Sequence, residues 1–166
     1  MSWRPMTPAD LSAVNDIATT VHAAYPEDPA VFQERLALYP DGCRVLTHDG
    51  TITGYIVSHP WVLGQPPALN TLLGAIPASA DTFYIHDIAL LGSGRNRDAA
   101  RSVMRALIAL AEQSGFTNLT LVAVNNSTAF WQKLGFRIVD DRTLEKKLQS
   151  YDDMARLMRL DLVVAA

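Results

Sequence analysis

Apolar residues Leu11, Val14, Ile17, Ala18 and Val21 recur at helical spacing, and the pattern predicts an amphipathic helix running to His22. Thr7 or Asp10 can cap its start, and Pro8 suits a first-turn position, where a missing N–H costs nothing. Pro26 and Pro29 break the pattern, and a second helix is expected from about Ala30 to Leu38, closed by Pro40-Asp41-Gly42. Trp3 to Met6 reads as a short opening strand. Arg44–Thr47 and Ile52–Val57 flank Asp49-Gly50, a pair that favours positive φ, so they form a hairpin. The segment 63–80, interrupted by Gly64, Pro66, Pro67, Gly74 and Pro77, reads as a long loop with room for one helical turn.

Phe83 to Leu91 is apolar on both faces, as expected of a central strand. Strict alternation places Tyr84, His86, Ile88 and Leu90 on one face and Phe83, Ile85, Asp87 and Ala89 on the other. A Gly92-Ser93-Gly94 turn leads to a long helix from about Arg97 to Ser114, with Val103, Leu107 and Leu110 as its core stripe and Gly115 as its stop. Asn118–Val124 is a strand, Ser127–Leu134 a short helix ended by Gly135, and Phe136–Val139 and Met154–Leu162 two more strands. A strand–helix–strand crossover beside a hairpin makes the sheet mixed and the class α+β (mixed α/β), with about seven strands and about four helices.

The chain has 166 residues, 49% hydrophobic and 19% charged, which fits a single domain spanning 1–166 and excludes a wholly disordered chain. Its formal net charge of −3 disfavours a dedicated nucleic-acid binder. One cysteine, Cys43, excludes an internal disulfide framework and a cysteine-cluster zinc site. The start carries no apolar signal segment, and no run of about 18 apolar residues is present, so a cytoplasmic protein without a membrane span is expected. His22, His48 and His59 show no metal-ligand spacing.

The turn at 92–97 follows a strand and opens a helix. It lacks the third glycine of a dinucleotide fingerprint and the Gly-Lys-Ser/Thr of a phosphate loop. Arg95, Arg97 and the free N–H groups of a helix start suit an anion, although an ordinary solvated turn has the same composition.

The combination is more specific. An Arg-bearing turn (Arg95-Asn96-Arg97-Asp98-Ala99-Ala100), a long helix, a strand, and then Asn125 to Phe136 ending in Leu134-Gly135-Phe136 resemble the GNAT acyltransferase superfamily. Trp3-Arg4-Pro5 and Thr7-Pro8-Ala9-Asp10-Leu11 also resemble that family's opening strand and helix, so the likeness runs through almost the whole chain. It implies a mostly antiparallel sheet with a splayed parallel central pair. It further implies that Ile88, Ala89 and Leu90 offer backbone groups to the pantetheine arm of acetyl-CoA. Arg95, Asn96, Arg97, Asp98, Ala99 and Ala100 would wrap the pyrophosphate. Asn125 would bond the pantetheine, and Ser127, Phe130 and Trp131 would line the path near the thioester.

Two positions depart from the family pattern. Asp98 stands where a glycine is usual, placing a carboxylate at the anion site. Trp131 stands where many members carry the tyrosine that protonates the leaving thiolate; an indole N–H is a very poor acid. Thiolate protonation would then fall to water or Ser127. His86 reads either as a general base or as a satisfied core histidine, since alternation turns it away from Asp87. Tyr25, Glu27 and Tyr84 are the candidate acceptor wall; Glu27 could attract a cationic amine or belong to a solvated acidic loop. The expected function is acetyl-CoA-dependent transfer to a primary amine of a small molecule or peptide, with no metal. The alternative is a catalytically impaired member that binds acyl-CoA weakly as a sensor or interaction module. A homodimer is left open.

Overall fold

The computed structural model describes residues 1–92 and 96–163, with Asn96 described by its backbone alone. Its first half runs β1 (Ser2–Pro5), α1 (Leu11–Val21), α2 (Pro29–Leu38), β2 (Cys43–His48), β3 (Thr51–Trp61) and β4 (Thr82–Leu90). The second half runs α3 (Asn96–Gln113), β5 (Asn118–Ala123), α4 (Thr128–Lys133), β6 (Arg137–Ile138), α5 (Glu145–Gln149) and β7 (Arg156–Asp161). The strands form one seven-stranded sheet in the order β1-β2-β3-β4-β5-β7-β6. All neighbours pair antiparallel except β4 and β5. No described helix is long and apolar enough to cross a membrane.

The hairpin turn is as expected: Asp49 and Gly50 have φ of 50° and 78°, the geometry whose twist matches the flanking strands. Asp28 caps α2 by accepting from the Ala30 N–H at 3.0 Å, with Pro29 just inside the helix. Gly135 closes the turn after α4 at φ 100°, and an added Cβ there would lie 3.2 Å from Leu160.

Helices cover both faces of the sheet. On one, Val103, Met104 and Leu107 of α3 pack against Ile56, Phe83 and Leu121. On the other, Val14, Ile17 and Phe32 of α1 and α2 pack against Val45, Tyr55 and Val57. Truncating a fully buried leucine such as Leu107 to Ala costs about 2–5 kcal/mol. Trp3 fastens the edge strand to α3 by donating its indole N–H to the Ala99 carbonyl at 2.9 Å.

Several elements differ from expectation. Strand β3 runs on to Trp61 rather than stopping at Val57. Strand β6 is only Arg137–Ile138, and β7 begins at Arg156 rather than Met154. A fifth helix, α5, adds to the four expected; its five residues are too few for a periodic signal. Segment 62–81 contains turns but no helical turn. Glu34 holds it onto α2, accepting from Leu73 N–H at 2.6 Å and Gly74 N–H at 3.0 Å, while Arg35 donates to the Thr71 carbonyl at 3.1 Å.

The main correction concerns β4. Val57 pairs with Asp87 while Ser58 pairs with Ile85, so His86 is the extra residue of a β-bulge. The bulge reverses the alternation beyond it. Ile88 joins Phe83 and Ile85 on the α3 face, whereas Ala89 joins the α1–α2 face. His86 and Asp87 therefore line one pocket instead of facing apart.

Candidate active site

The parallel pairing of β4 with β5 covers only Phe83–Ile85 against Leu119–Leu121. Beyond Ile85 the two strands separate and leave a cleft of about 360 Å³ lined by β4 residues from Ile85 to Leu90 and by Leu121, Val122 and Val124. Asn125, Ser127, Phe130 and Trp131 form its far wall. Ile88, Ala89, Leu90, Asn125, Ser127, Phe130 and Trp131, singled out in the sequence, thus converge on one cleft.

Their individual states refine that picture. The Ile88 carbonyl is already engaged, 3.0 Å from His22 Nε2. Asn125 is held at φ 55° with its N–H donated to Asp152 at 3.0 Å; asparagine tolerates that left-handed geometry. Ser127 donates its hydroxyl to the Val124 carbonyl at 2.7 Å. Trp131 is only 6% exposed, stacked edge-on with Phe130 and Phe136, and belongs as much to the core as to the cleft wall.

At the outer end, Phe130 also borders a second hollow formed with Arg97, Ala100, Arg101, Lys133 and Leu134. Three cations gather there on a chain whose net charge is negative. Arg97 and Asp98 are exposed in the first turn of α3, and the Ala99 and Ala100 side chains are buried beneath it. Arg95 and the Ser93-Gly94 part of the turn lie outside the described residues.

At the inner end the cleft meets a smaller pocket of about 70 Å³ between α1, α2, β4 and the 62–81 segment. His22, His86, Asp87, Val122 and Val124 border both spaces. Two histidine–carboxylate pairs stand at this junction. His86 Nε2 lies 2.8 Å from Glu27 Oε1, with both side chains more than nine-tenths buried. His22 Nε2 lies 2.8 Å from Asp87 Oδ1, and the other oxygen of Asp87 accepts from the Tyr55 hydroxyl.

The electrostatics follow from these partners. Burial pushes the Glu27 carboxyl up, but the charge and hydrogen bond of His86, the Asn70 N–H and the Arg35 guanidinium together hold it below its ordinary value. Burial pulls His22 down, and the Asp87 carboxylate, the Ile88 carbonyl and the Glu27 charge outweigh it, so its net shift is upward. Tyr55 and Tyr84 are raised well above 10, chiefly by burial, and Tyr151 is pushed up to about 12 for the same reason. None of the three readily gives up a proton near neutrality.

Tyr25, Glu27 and Tyr84 do line the pocket. Glu27, however, is engaged on both oxygens, by His86 and by the Asn70 N–H at 3.1 Å. It acts as the partner of a histidine rather than as a free anion awaiting an amine. His22, Asp87, Tyr55, Tyr151 and Asp152 were not among the expected site residues. His22 had a readable signal: it follows Ala18 by four and continues the inward stripe of α1. Among the described residues no group of three or more His, Cys, Asp or Glu side chains is placed to hold a metal ion.

The chain belongs to the acetyltransferase (GNAT) family, whose family model matches residues 11–136. Membership supports acyl transfer from CoA as its chemistry. Solved structures share the fold at low identity. One is a GphF GNAT-like decarboxylase in complex with isobutyryl-CoA, with 17% identity, TM-score 0.76, and 98% of this chain and 100% of that chain covered. Ard1 from Thermoplasma volcanium shows 18% identity, TM-score 0.72, and 98% coverage of both chains. The ribosomal-protein-S18-alanine N-acetyltransferase from Escherichia coli shows 18% identity, TM-score 0.66, and coverage of 99% of this chain and 96% of that one. No curated protein matches the sequence.

Proposed function

We propose that the protein is an acetyl-CoA-dependent N-acetyltransferase that acetylates a primary amine in the cytoplasm. The observation that carries this reading is the cleft opened beyond Ile85, which runs from a cationic rim directly to two histidine–carboxylate pairs. The pantetheine arm fits this cleft as a pseudo-strand along residues 86–90, where β4 has no β5 partner. Arg97, Arg101 and Lys133 suit its phosphates.

The acceptor enters the smaller pocket and meets the thioester at the junction. With the His86 Nε2–H donated to Glu27, Nδ1 carries the lone pair that takes the ammonium proton. The Glu27 carboxylate then stabilises the imidazolium. The amine nitrogen bonds to the acyl carbon, backbone N–H groups of β4 polarise the carbonyl, and the C–S bond breaks. The nitrogen releases its remaining extra proton to water as the amide forms, and the thiolate takes a proton from water or from Ser127, which water then reprotonates. No covalent enzyme intermediate is required. Cys43 is buried with its thiol pushed up to about 12 by burial, which leaves it unreactive.

A second reading is favoured by Trp131 at the tyrosine position and by the Ser127 hydroxyl already committed to Val124. Under it the protein binds acyl-CoA without turning it over. Calorimetric titration with acetyl-CoA and CoA, followed by an amine panel monitored by CoA release, separates the two. Binding without release under every acceptor supports the second reading, and silence in both assays removes both.

A further inference from the structure

Three segments close over the inner pocket: residues 22–28 after α1, residues 62–81 between β3 and β4, and residues 150–155 before β7. Each is tied to the other two. The Tyr25 hydroxyl donates to Asp152 at 2.6 Å, joining the first to the third. The Asp28 N–H donates to Asn70 Oδ1 at 2.6 Å, and the Asn70 N–H to Glu27 Oε2 at 3.1 Å, joining the first to the second. The Tyr151 hydroxyl donates to the Pro67 carbonyl, joining the second to the third. The ties form a closed ring, and Glu34 and Arg35 fasten its longest member to α2.

The walls inside the ring are apolar at Ala18, Phe32, Leu69, Val122 and Val124. The ionisable groups facing the pocket are mutually engaged: Glu27 with His86, Asp87 with His22 and Tyr55, Tyr25 with Asp152. A second charge on the acceptor, such as the carboxylate of an amino acid or the distal ammonium of a polyamine, would be buried without a counter-ion, at a cost of several kcal/mol. Size sets a further limit. A cavity of about 150 Å³ accommodates benzene, so a pocket of about 70 Å³ takes roughly half as many non-hydrogen atoms.

Resting on the acetyl-transfer reading above, we propose that the acceptor is a short primary amine with an uncharged apolar tail of about three or four non-hydrogen atoms, and that polypeptide N-termini are excluded. A peptide must continue beyond its first residue, and the pocket of about 70 Å³ leaves little room for it beside three segments joined by the Tyr25–Asp152, Glu27–Asn70 and Tyr151–Pro67 ties. The pocket continues into the cleft that the acyl donor uses.

The test uses the full chain with acetyl-CoA and follows CoA release with n-propylamine, n-hexylamine, spermidine and tetra-alanine amide. Propylamine is expected to exceed each of the other three at least tenfold in kcat/KM. Leu69→Ala, which enlarges the pocket, is expected to move the preference about fivefold toward hexylamine. Val122→Ala does so from the opposite wall and serves if the first variant fails to fold. General damage would lower both amines in parallel and leave their ratio unchanged. Equal turnover of the tetrapeptide or spermidine, or an unmoved length preference in the folded variants, overturns the inference while leaving acetyl transfer standing. Silence toward all four acceptors with acetyl-CoA bound overturns the acetyl-transfer reading itself, and this inference with it.

Discussion

Glu27 and His86 lie 59 positions apart in the chain, yet their side chains meet at 2.8 Å with little solvent between them. The contact exists because His86 shares the face of β4 that carries Tyr84 and is turned toward α1 and α2, and because the 22–28 segment folds back over β4; the bulge adds Asp87 to that same face. A histidine so placed has a fixed ring orientation and a buried counter-charge, the two properties that general-base catalysis demands.

Removing that counter-charge should alter the pH dependence of the reaction before it alters donor binding. Glu27→Gln is expected to lower kcat and to change the acid limb of the pH–rate profile, because the imidazolium formed on His86 loses its carboxylate partner. His86→Ala should flatten that limb. Steady-state rates between pH 5 and 9 check both; an unchanged limb in His86→Ala would return this residue to a structural role.

Arg95 and Arg97 are expected to hold the pyrophosphate by charge-assisted contacts. The Arg95→Ala/Arg97→Ala double variant should bind CoA at least about tenfold more weakly, with a shallower salt dependence and an unchanged melting temperature. Calorimetry at low and high salt decides it, and equal affinity would show that the donor's phosphates lie elsewhere.

Asp98 sits exposed in the first turn of α3, next to Arg97. Its carboxylate suits the helix dipole but opposes a phosphate, and a like charge at about 4–6 Å in a partly solvated site costs roughly 1–3 kcal/mol. Asp98→Gly should therefore bind CoA about 10- to 100-fold more tightly despite a weakened helix start. Weaker binding in this variant would mean that the carboxylate organises the turn instead.

His59 is fully buried, with Nδ1 2.9 Å from the Pro60 carbonyl and no hydrogen-bond partner for Nε2 among the described residues. Burial, the largest influence, lowers its pKa from 6.5 to about 3. The unfolded chain thus binds a proton that the folded one refuses, and stability falls as pH drops from 6.5 toward 3. His22 does not mask this trend, because a raised folded pKa contributes stability that is constant below 6.5 and is lost only above it. Urea unfolding should show a loss of about 2 kcal/mol between pH 6.5 and 5, and His59→Gln should be less stable at pH 7 but flatter across that range. A wild-type curve as flat as that of the variant would show that protonated His59 finds a partner.

Local signals sufficed for most of the framework. Helical spacing located α1 and α3, Asp49-Gly50 located the hairpin, and the Leu134-Gly135-Phe136 ending, with the Arg-bearing turn, pointed to the family and so to the cleft wall of Asn125, Ser127, Phe130 and Trp131. These features depend on a residue and its near neighbours, which is the range over which periodicity and turn chemistry operate. The β4 bulge lay beyond that range. The strand is apolar on both faces, so no polar residue marked the slip that put His86 and Asp87 in one pocket. The pairings of Glu27 with His86, Asp87 with Tyr55 and His22, and Tyr25 with Asp152 join segments remote in the chain. A pairing between segments so far apart is chosen by the packing of the whole sheet and its helices. The sequence determined which groups were available for chemistry, and only the tertiary structure decided which of them face one another.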